Sequence, residues 1–130
     1  MFGPAGHLYV YRSYGIHWCA NVVCGADGVG TAVLLRALEP TRGLEAMRMR
    51  RGLEDMRLLA AGPGRLTQAL GLTGENDGDD LLAPPYELVP ARDPGDVLAS
   101  SRVGITRAVE RPWRYSLAGS SFVSRPRPRA

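Results

Sequence analysis

Residues Leu8 to Tyr14 (LYVYRSY) alternate and are rich in aromatic and β-branched side chains. Gly15 interrupts the run, and Ile16 to Cys24 (IHWCANVVC) resumes a strand pattern. Two such runs split by a glycine read as a β-hairpin with its turn at Tyr14-Gly15-Ile16. Glycine can take either central turn position, so the register stays open at this level. Gly25 to Gly30 (GADGVG) reads as a second turn. Thr31 to Leu38 (TAVLLRAL) reads as a third strand, and its mostly apolar composition predicts a place in the centre of the sheet.

Pro40 and Thr41 introduce a predicted helix, in which Ala46, Met49, Leu53, Met56 and Ala60 fall on one face and read as a core stripe. Arg48, Arg50, Arg51 and Arg57 lie off that stripe. Gly52 in its middle costs about 1 kcal/mol relative to alanine and marks where the helix would split. Gly62-Pro63-Gly64 opens a second short helix, RLTQAL, closed by Gly71. Glu75 to Asp80 (ENDGDD) lacks the ligand period and distal Glu of a calcium loop and reads as a solvated loop. Strand-like pieces follow at Tyr86 to Val89, Arg102 to Thr106 and Trp113 to Leu117, and the proline-rich stretch 125–130 reads as a frayed tail. The expectation is α+β: a single mixed domain with a curved, roll-like antiparallel β-sheet and flanking helices.

Composition narrows the function classes. Of 130 residues 45% are hydrophobic and 22% charged, the balance of a globular chain. No apolar run approaches the ~18–20 residues of a bilayer span, and the opening MFGPAGHLYVYR has neither a basic lead nor a long apolar stretch. A cytoplasmic chain with no membrane association is expected. Cys19 and Cys24 fall on opposite faces of a strand, so they read as buried thiols in a reducing compartment rather than as a disulfide. All 16 cationic side chains are arginine, and the net charge of +3 suits a polyanionic partner as well as it suits a mildly basic protein without one. His7 and His17 are ten residues apart with no companion ligands beyond Cys19, so no metal is expected, and no nucleophile elbow, P-loop or dinucleotide fingerprint occurs. The hairpin is more distinctive: Tyr9, Tyr11, Tyr14 and Trp18 crowd a ribbon that also carries Arg12, His17 and Asn21. Such a set suits stacking on nucleobases and hydrogen-bonding their edges. Cross-strand packing explains Tyr9 and Trp18 equally well, but a tyrosine beside the turn glycine should point into solvent.

The segment MFGPAGHLYVYRSYGIHWCANVV followed by AVLLRALEP, and then GPGRLTQALGL, ENDGDDL, RVGIT and PWRYSLAGSSFVSR in the same order, resembles the alkyladenine (3-methyladenine, methylpurine) DNA glycosylase family. The resemblance implies a mixed α/β domain whose β-hairpin enters the minor groove of double-stranded DNA. It implies a monofunctional hydrolase of base-excision repair that flips out an alkylated or deaminated purine and hydrolyses its N-glycosidic bond, without metal or organic cofactor. The expected setting is a bacterial cytoplasm, with a monomer held at the nucleoid through DNA. Position by position, Tyr14 matches the intercalating tyrosine, Tyr11 a tyrosine that stacks on the flipped base, and Asn21 an asparagine that disfavours the guanine 2-amino group. Arg36 matches an arginine that positions the attacking water, and a structural ion pair is its competing role. Arg12 and Arg65 are expected phosphate contacts, or else solvated.

The family's catalytic glutamate, in a Glu-Ala-Tyr stretch followed by a histidine, lies ahead of the Met-Phe with which this sequence opens. The expectation is therefore that residues 1–130 form the C-terminal part of the family domain, read from an internal Met, with one side of the pocket and a sheet edge left open. Glu39, the carboxylate nearest in sequence to the pocket strand, reads as structural in its Ala-Leu-Glu-Pro setting. The rival expectations are a non-catalytic remnant that binds damaged DNA without excising, and a fragment that does not fold alone.

Overall fold

A computed structural model describes residues 4–25, 30–93, 95–102 and 113–126. Strands β1 (Leu8–Ser13), β2 (His17–Cys24) and β3 (Thr31–Leu34) form an antiparallel sheet in the order β1-β2-β3. Helices α1 (Leu44–Arg51) and α2 (Pro63–Leu70) follow, and a two-stranded antiparallel sheet of β4 (Val97–Ser100) and β5 (Arg114–Leu117) completes the α+β architecture. The hairpin register pairs Leu8 with Val22 and Ser13 with His17, which leaves Tyr14, Gly15 and Ile16 as the loop.

One face of the hairpin makes a small core. Leu8, Val10 and Ala20 are buried there, with Trp18, Leu72, Leu81 and Tyr86 packed against them. A second cluster, Ala60, Leu66 and Ala69, is covered by Leu35, Met47 and Leu70. Thr67 links α2 to the sheet, because its buried hydroxyl donates to the Trp18 carbonyl at 2.8 Å. Two glycines permit the approach of the surrounding segments. A Cβ on Gly64 would sit 2.9 Å from His17 Cβ, and one on Gly74 would sit 2.7 Å from the Trp18 ring.

Several expectations are corrected. β3 lies at an edge and β2 in the centre; Val33 is 56% exposed. The apolar run past Leu34 leaves the sheet, Leu35 packing on the α2 cluster and Ala37 bridging Ala61. The methionine stripe fails because α1 begins after Gly43 and stops at Gly52, whose φ of 69° turns the chain into the left-handed region. Met49 is 82% exposed, and Met47 takes the inward place. The arginines beside the stripe instead strap the helices together. Arg50 donates to the Ala69 carbonyl at 2.8 Å, while Arg51 donates to the Leu59 carbonyl at 2.9 Å and to Gln68 Oε1 at 3.0 Å. Residues 86–89 are not a strand, and β4 appears where none was expected. Residues 103–106 of the next strand-like piece lie outside the described residues, as do tail residues 127–130.

The acidic loop is not merely solvated. It closes the outer edge of β1: Leu8 N–H donates to the Asp79 carbonyl, Gly78 N–H to the Leu8 carbonyl, and Val10 N–H to Asp77 Oδ1, each at 2.8 Å. The β1 edge is thereby covered from Gly6 to Val10. The Tyr86 hydroxyl donates to Asp79 Oδ2, and Asn76 adds a second bond at 3.2 Å. These bonds hold the Asp79 carboxyl below its ordinary range and push the Tyr86 phenol above its own.

Gly74→Ala is expected to destabilise the fold by about 1–3 kcal/mol in urea unfolding, because the new Cβ would sit 2.7 Å from the Trp18 ring and force it to shift. The Asp79–Tyr86 pair sets a pH signature. Lowering the Asp79 pKa gives stability that is present above the unfolded carboxylate pKa and lost as pH falls through the folded one. Raising the Tyr86 pKa gives stability that is complete below about pH 10 and lost as pH climbs through the folded value. Tyr86→Phe should therefore be less stable than the parent between about pH 5 and pH 9, with the gap narrowing on both sides.

Candidate functional site

Tyr14 adopts φ 51° and Gly15 φ 66°, the pair of positive angles that a right-handed hairpin twist favours, and Ile16 N–H closes the turn on the Ser13 carbonyl at 3.0 Å. For a tyrosine this backbone is strained by about 1–2 kcal/mol. Nothing is recovered by packing, since Tyr14 is 92% exposed and its neighbour Ile16 69%. An aromatic ring held in strain at a tip and buried against nothing points to a partner outside the chain.

Behind the tip, the register sorts the hairpin into two faces. Tyr9 lies opposite Asn21 and Tyr11 opposite Cys19, so these four side chains share the face away from the Leu8–Val10–Ala20 core. The Tyr9 and Tyr11 rings meet at 5.5 Å, tilted by 48°. Asn21 is buried, and its Nδ2 donates to the Tyr9 carbonyl at 3.2 Å, which fixes the amide across the ribbon. Tyr11 is 40% exposed and keeps an accessible ring. Burial first, then the neighbouring Cys19 and Tyr9, raise its phenol pKa, against a weaker opposing pull from Arg102. The ring thus stays neutral at physiological pH.

Arg36 follows the end of β3 and comes near Cys19 and Arg114. Burial, then the repulsion of Arg114, lowers its pKa. Its Nε is buried with no hydrogen-bond partner among the described residues. The structural ion pair weighed for Arg36 is not formed there: the salt bridges found among the described residues are Arg48–Glu54 and Arg57–Asp55. Arg114 is a contributor that the sequence did not single out. It is 6% exposed and donates to the carbonyls of Ser124, at 2.7 Å, and Pro126. Only the alternation of Arg114 and Ser116 on the inward side of β5 could have signalled it.

The remaining candidates stand apart from this face. Arg12 is exposed and lies over the Trp18 ring, 5.7 Å from its centroid, on the opposite side of the ribbon. Arg65 sits in the first turn of α2, exposed, with Nη1 donating to the Ala61 carbonyl at 3.3 Å. His7 bridges Asp80 at the start of β1 while His17 opens β2 at the hairpin tip, so the two are at opposite ends of the ribbon. Among the described residues no group of three or more His, Cys, Asp or Glu could hold a metal ion, and no helix is long and apolar enough to cross a membrane.

The profile of the methylpurine-DNA glycosylase family matches residues 1–121. Curated relatives from Nitrosospira multiformis and Agrobacterium fabrum are each 56% identical, over 97% and 96% of this chain, and one from Rhodopseudomonas palustris is 57% identical over 97%. All three carry the name Putative 3-methyladenine DNA glycosylase. The matched region is 65% of the first relative and 63% of the other two, so the chain spans a little under two thirds of their length.

The two inward arginines should separate in a stability assay. Arg36→Met is expected to change unfolding free energy by less than about 1 kcal/mol, because a partly desolvated side chain whose Nε has no acceptor among the described residues is exchanged for an apolar chain. Arg114→Met should cost about 2–3 kcal/mol, since it strands two carbonyls that the guanidinium now satisfies. Urea unfolding of both variants checks the contrast.

Proposed function

The chain belongs to the methylpurine-DNA glycosylase family, and from that premise we propose that it acts in base-excision repair on duplex DNA, flipping out an alkylated or deaminated purine and hydrolysing its N-glycosidic bond. The observation that carries the reading is the exposed, strained Tyr14 at the hairpin tip, with Tyr11 and Asn21 on one face behind it.

In this reading the Tyr14 ring enters the minor groove and fills the gap left by the extruded nucleotide, offsetting an unstacking cost of a few kcal/mol. Tyr11 stacks on the flipped purine. Its neutral, electron-rich ring favours an alkylated base, which is electron-poor and often cationic. Asn21, held in place by the bond from its Nδ2 to the Tyr9 carbonyl, is the fixed group that disfavours a guanine 2-amino group. Arg36, whose Nε lacks an acceptor among the described residues, holds the attacking water beside the sugar. The water oxygen bonds to C1′ and gives up a proton as the C1′–N bond breaks, and the purine leaves with the bonding pair, neutral if it was cationic and otherwise taking up a proton. Arg12 and Arg65 contact phosphates and fix the register of the duplex. The enzyme acts as a monomer and without a metal.

A second reading has its own support. Water activation calls for a general base, worth a factor of about 10²–10⁴. The register positions that share the Tyr11–Asn21 face, from Tyr9 to Ser13 on β1 and from His17 to Asn21 on β2, carry no carboxylate. Binding of damaged duplex without excision is the activity such a face supports on its own.

A duplex carrying a single ethenoadenine separates the two readings. Unquenching of the ethenoadenine fluorescence reports flipping, and alkaline cleavage at the abasic site reports excision. Flipping with excision is expected under the first reading, and flipping alone under the second. Tyr14→Ala should weaken flipping by about tenfold or more while leaving the fold intact, because the ring is buried against nothing. A parent chain that melts cooperatively but neither flips nor cleaves overturns both.

A further inference from the structure

Residues Asn76 to Asp79 form a type II turn. Asp77 takes φ −60° and ψ 129°, Gly78 takes φ 88°, and the Asp79 N–H donates to the Asn76 carbonyl at 3.1 Å. The second central position has a positive φ and calls for glycine. The position before it calls for an acceptor, because Asp77 Oδ1 takes the Val10 N–H at 2.8 Å. The turn and its hold on β1 therefore impose an Asp-Gly pair. The backbone of such a pair is prone to rearrange, since glycine puts no side chain in the way of its own nitrogen.

In that rearrangement the Gly78 nitrogen attacks Cγ of the protonated Asp77 carboxyl. An N–C bond forms, and the carboxyl hydroxyl leaves with the amide proton as water. Solvent water then opens the five-membered succinimide. Where it adds at the main-chain carbonyl, the bond from that carbon to nitrogen breaks, and the chain runs on through the side-chain carbonyl as isoaspartate. Water is lost once and gained once, so the mass is unchanged. The backbone gains a methylene carbon, and a free α-carboxylate is left beside it.

In the folded protein β1 holds both reacting groups. The Gly78 N–H is bound to the Leu8 carbonyl at 2.8 Å, as Asp77 Oδ1 is to the Val10 N–H. Ring closure needs nitrogen and Cγ to meet within about 3–3.5 Å along the line of attack. Neither group can turn toward the other without giving up its bond to β1. Both residues are exposed, so water reaches them once they turn. We propose that Asp77–Gly78 is a modification site gated by the β1 edge. While the edge is closed the linkage is preserved. Once it opens, the linkage converts to isoaspartate, and the lengthened backbone no longer meets Leu8 and Val10, so the edge stays open. The proposal does not depend on the DNA chemistry above, although β1 is the strand that carries Tyr9 and Tyr11.

The test follows the tryptic peptide 66–92, released by cuts after Arg65 and Arg92, from the full chain aged at neutral pH. Chromatography separates the aspartyl and isoaspartyl isomers of equal mass, and electron-transfer fragmentation places the new linkage at Asp77. Conversion in the folded parent should be about tenfold or more slower than in the urea-unfolded chain. Sub-denaturing urea should raise it. Tyr86→Phe, which removes the bond from the Tyr86 hydroxyl to Asp79, should raise it about two- to fivefold without urea. Amide hydrogen exchange at Leu8 and Val10 should be about tenfold or more faster in isoaspartyl than in aspartyl molecules. Equal conversion in folded and unfolded chains, or a folded rate that neither low urea nor Tyr86→Phe raises, overturns the gate. If Tyr86→Phe does not melt cooperatively, the urea series decides. Isoaspartyl molecules whose Leu8 and Val10 amides stay protected overturn the lasting opening of the edge. No conversion in urea overturns the site.

Discussion

The Trp18 carbonyl accepts a 2.8 Å hydrogen bond from the buried Thr67 hydroxyl, and that bond takes over where the sheet ends. β3 pairs with β2 only from Asn21 onward, so the first half of β2 has no strand on that side. α2 fills the place: Thr67 meets the backbone, Gly64 fits against His17, and Gly74 fits against the Trp18 ring. The hairpin tip therefore projects from a supported base. An isolated two-stranded ribbon is marginal in water, and a strained tyrosine at its end could not be held in place without this buttress. The acidic loop does the same for β1, replacing a strand with three backbone-directed hydrogen bonds and the Asp79–Tyr86 contact.

The parts of this arrangement that the sequence disclosed are those governed by neighbours in the chain. Gly15 and the alternation around it mark the hairpin, Gly62-Pro63-Gly64 and Gly71 bracket α2, and both lie where expected. Tyr14 was expected in solvent on local grounds, and its exposure follows from its place in the turn. The failures have a common physical form. Met49 was placed on a core stripe by counting through Gly52, although one left-handed residue resets the helical phase and passes the inward role to Met47. The acidic loop read as solvated because its partners are backbone N–H groups some seventy residues away, as between Asp77 and Val10, and local composition carries no trace of them. Arg114 escaped notice for the same reason, since its acceptors are the Ser124 and Pro126 carbonyls rather than a carboxylate with a recognisable spacing.

An all-arginine complement has consequences for such a fold. The guanidinium presents several donors in a fixed plane, so one side chain can bridge carbonyls from different segments where an ammonium offers only a point charge. Arg50, Arg51 and Arg114 are used in this way, and each satisfies carbonyls that the short helices and the irregular tail would otherwise leave bare. Arg36 is the exception. It is desolvated, it feels Arg114 as a like charge, and its Nε has no acceptor among the described residues.

The same logic joins the tip to the face behind it. Strain at Tyr14, a buried Arg36 Nε without an acceptor among the described residues and an accessible ring at Tyr11 are each unfavourable or neutral in the free chain. Tyr14 and Tyr11 lie on the ribbon that α2 and the acidic loop hold from its two edges, and Arg36, beyond β3, comes near its Cys19. Had these costs been scattered, each would count as local imperfection. Their concentration on a braced element means that the free protein already holds the conformation a partner would otherwise have to impose, so the ordering cost is met in folding and not at encounter. Under the proposed function, a duplex that opens a base pair to meet this ribbon would find Tyr14, Tyr11 and Asn21 already in place, and its own unstacking energy would be the main term left to overcome.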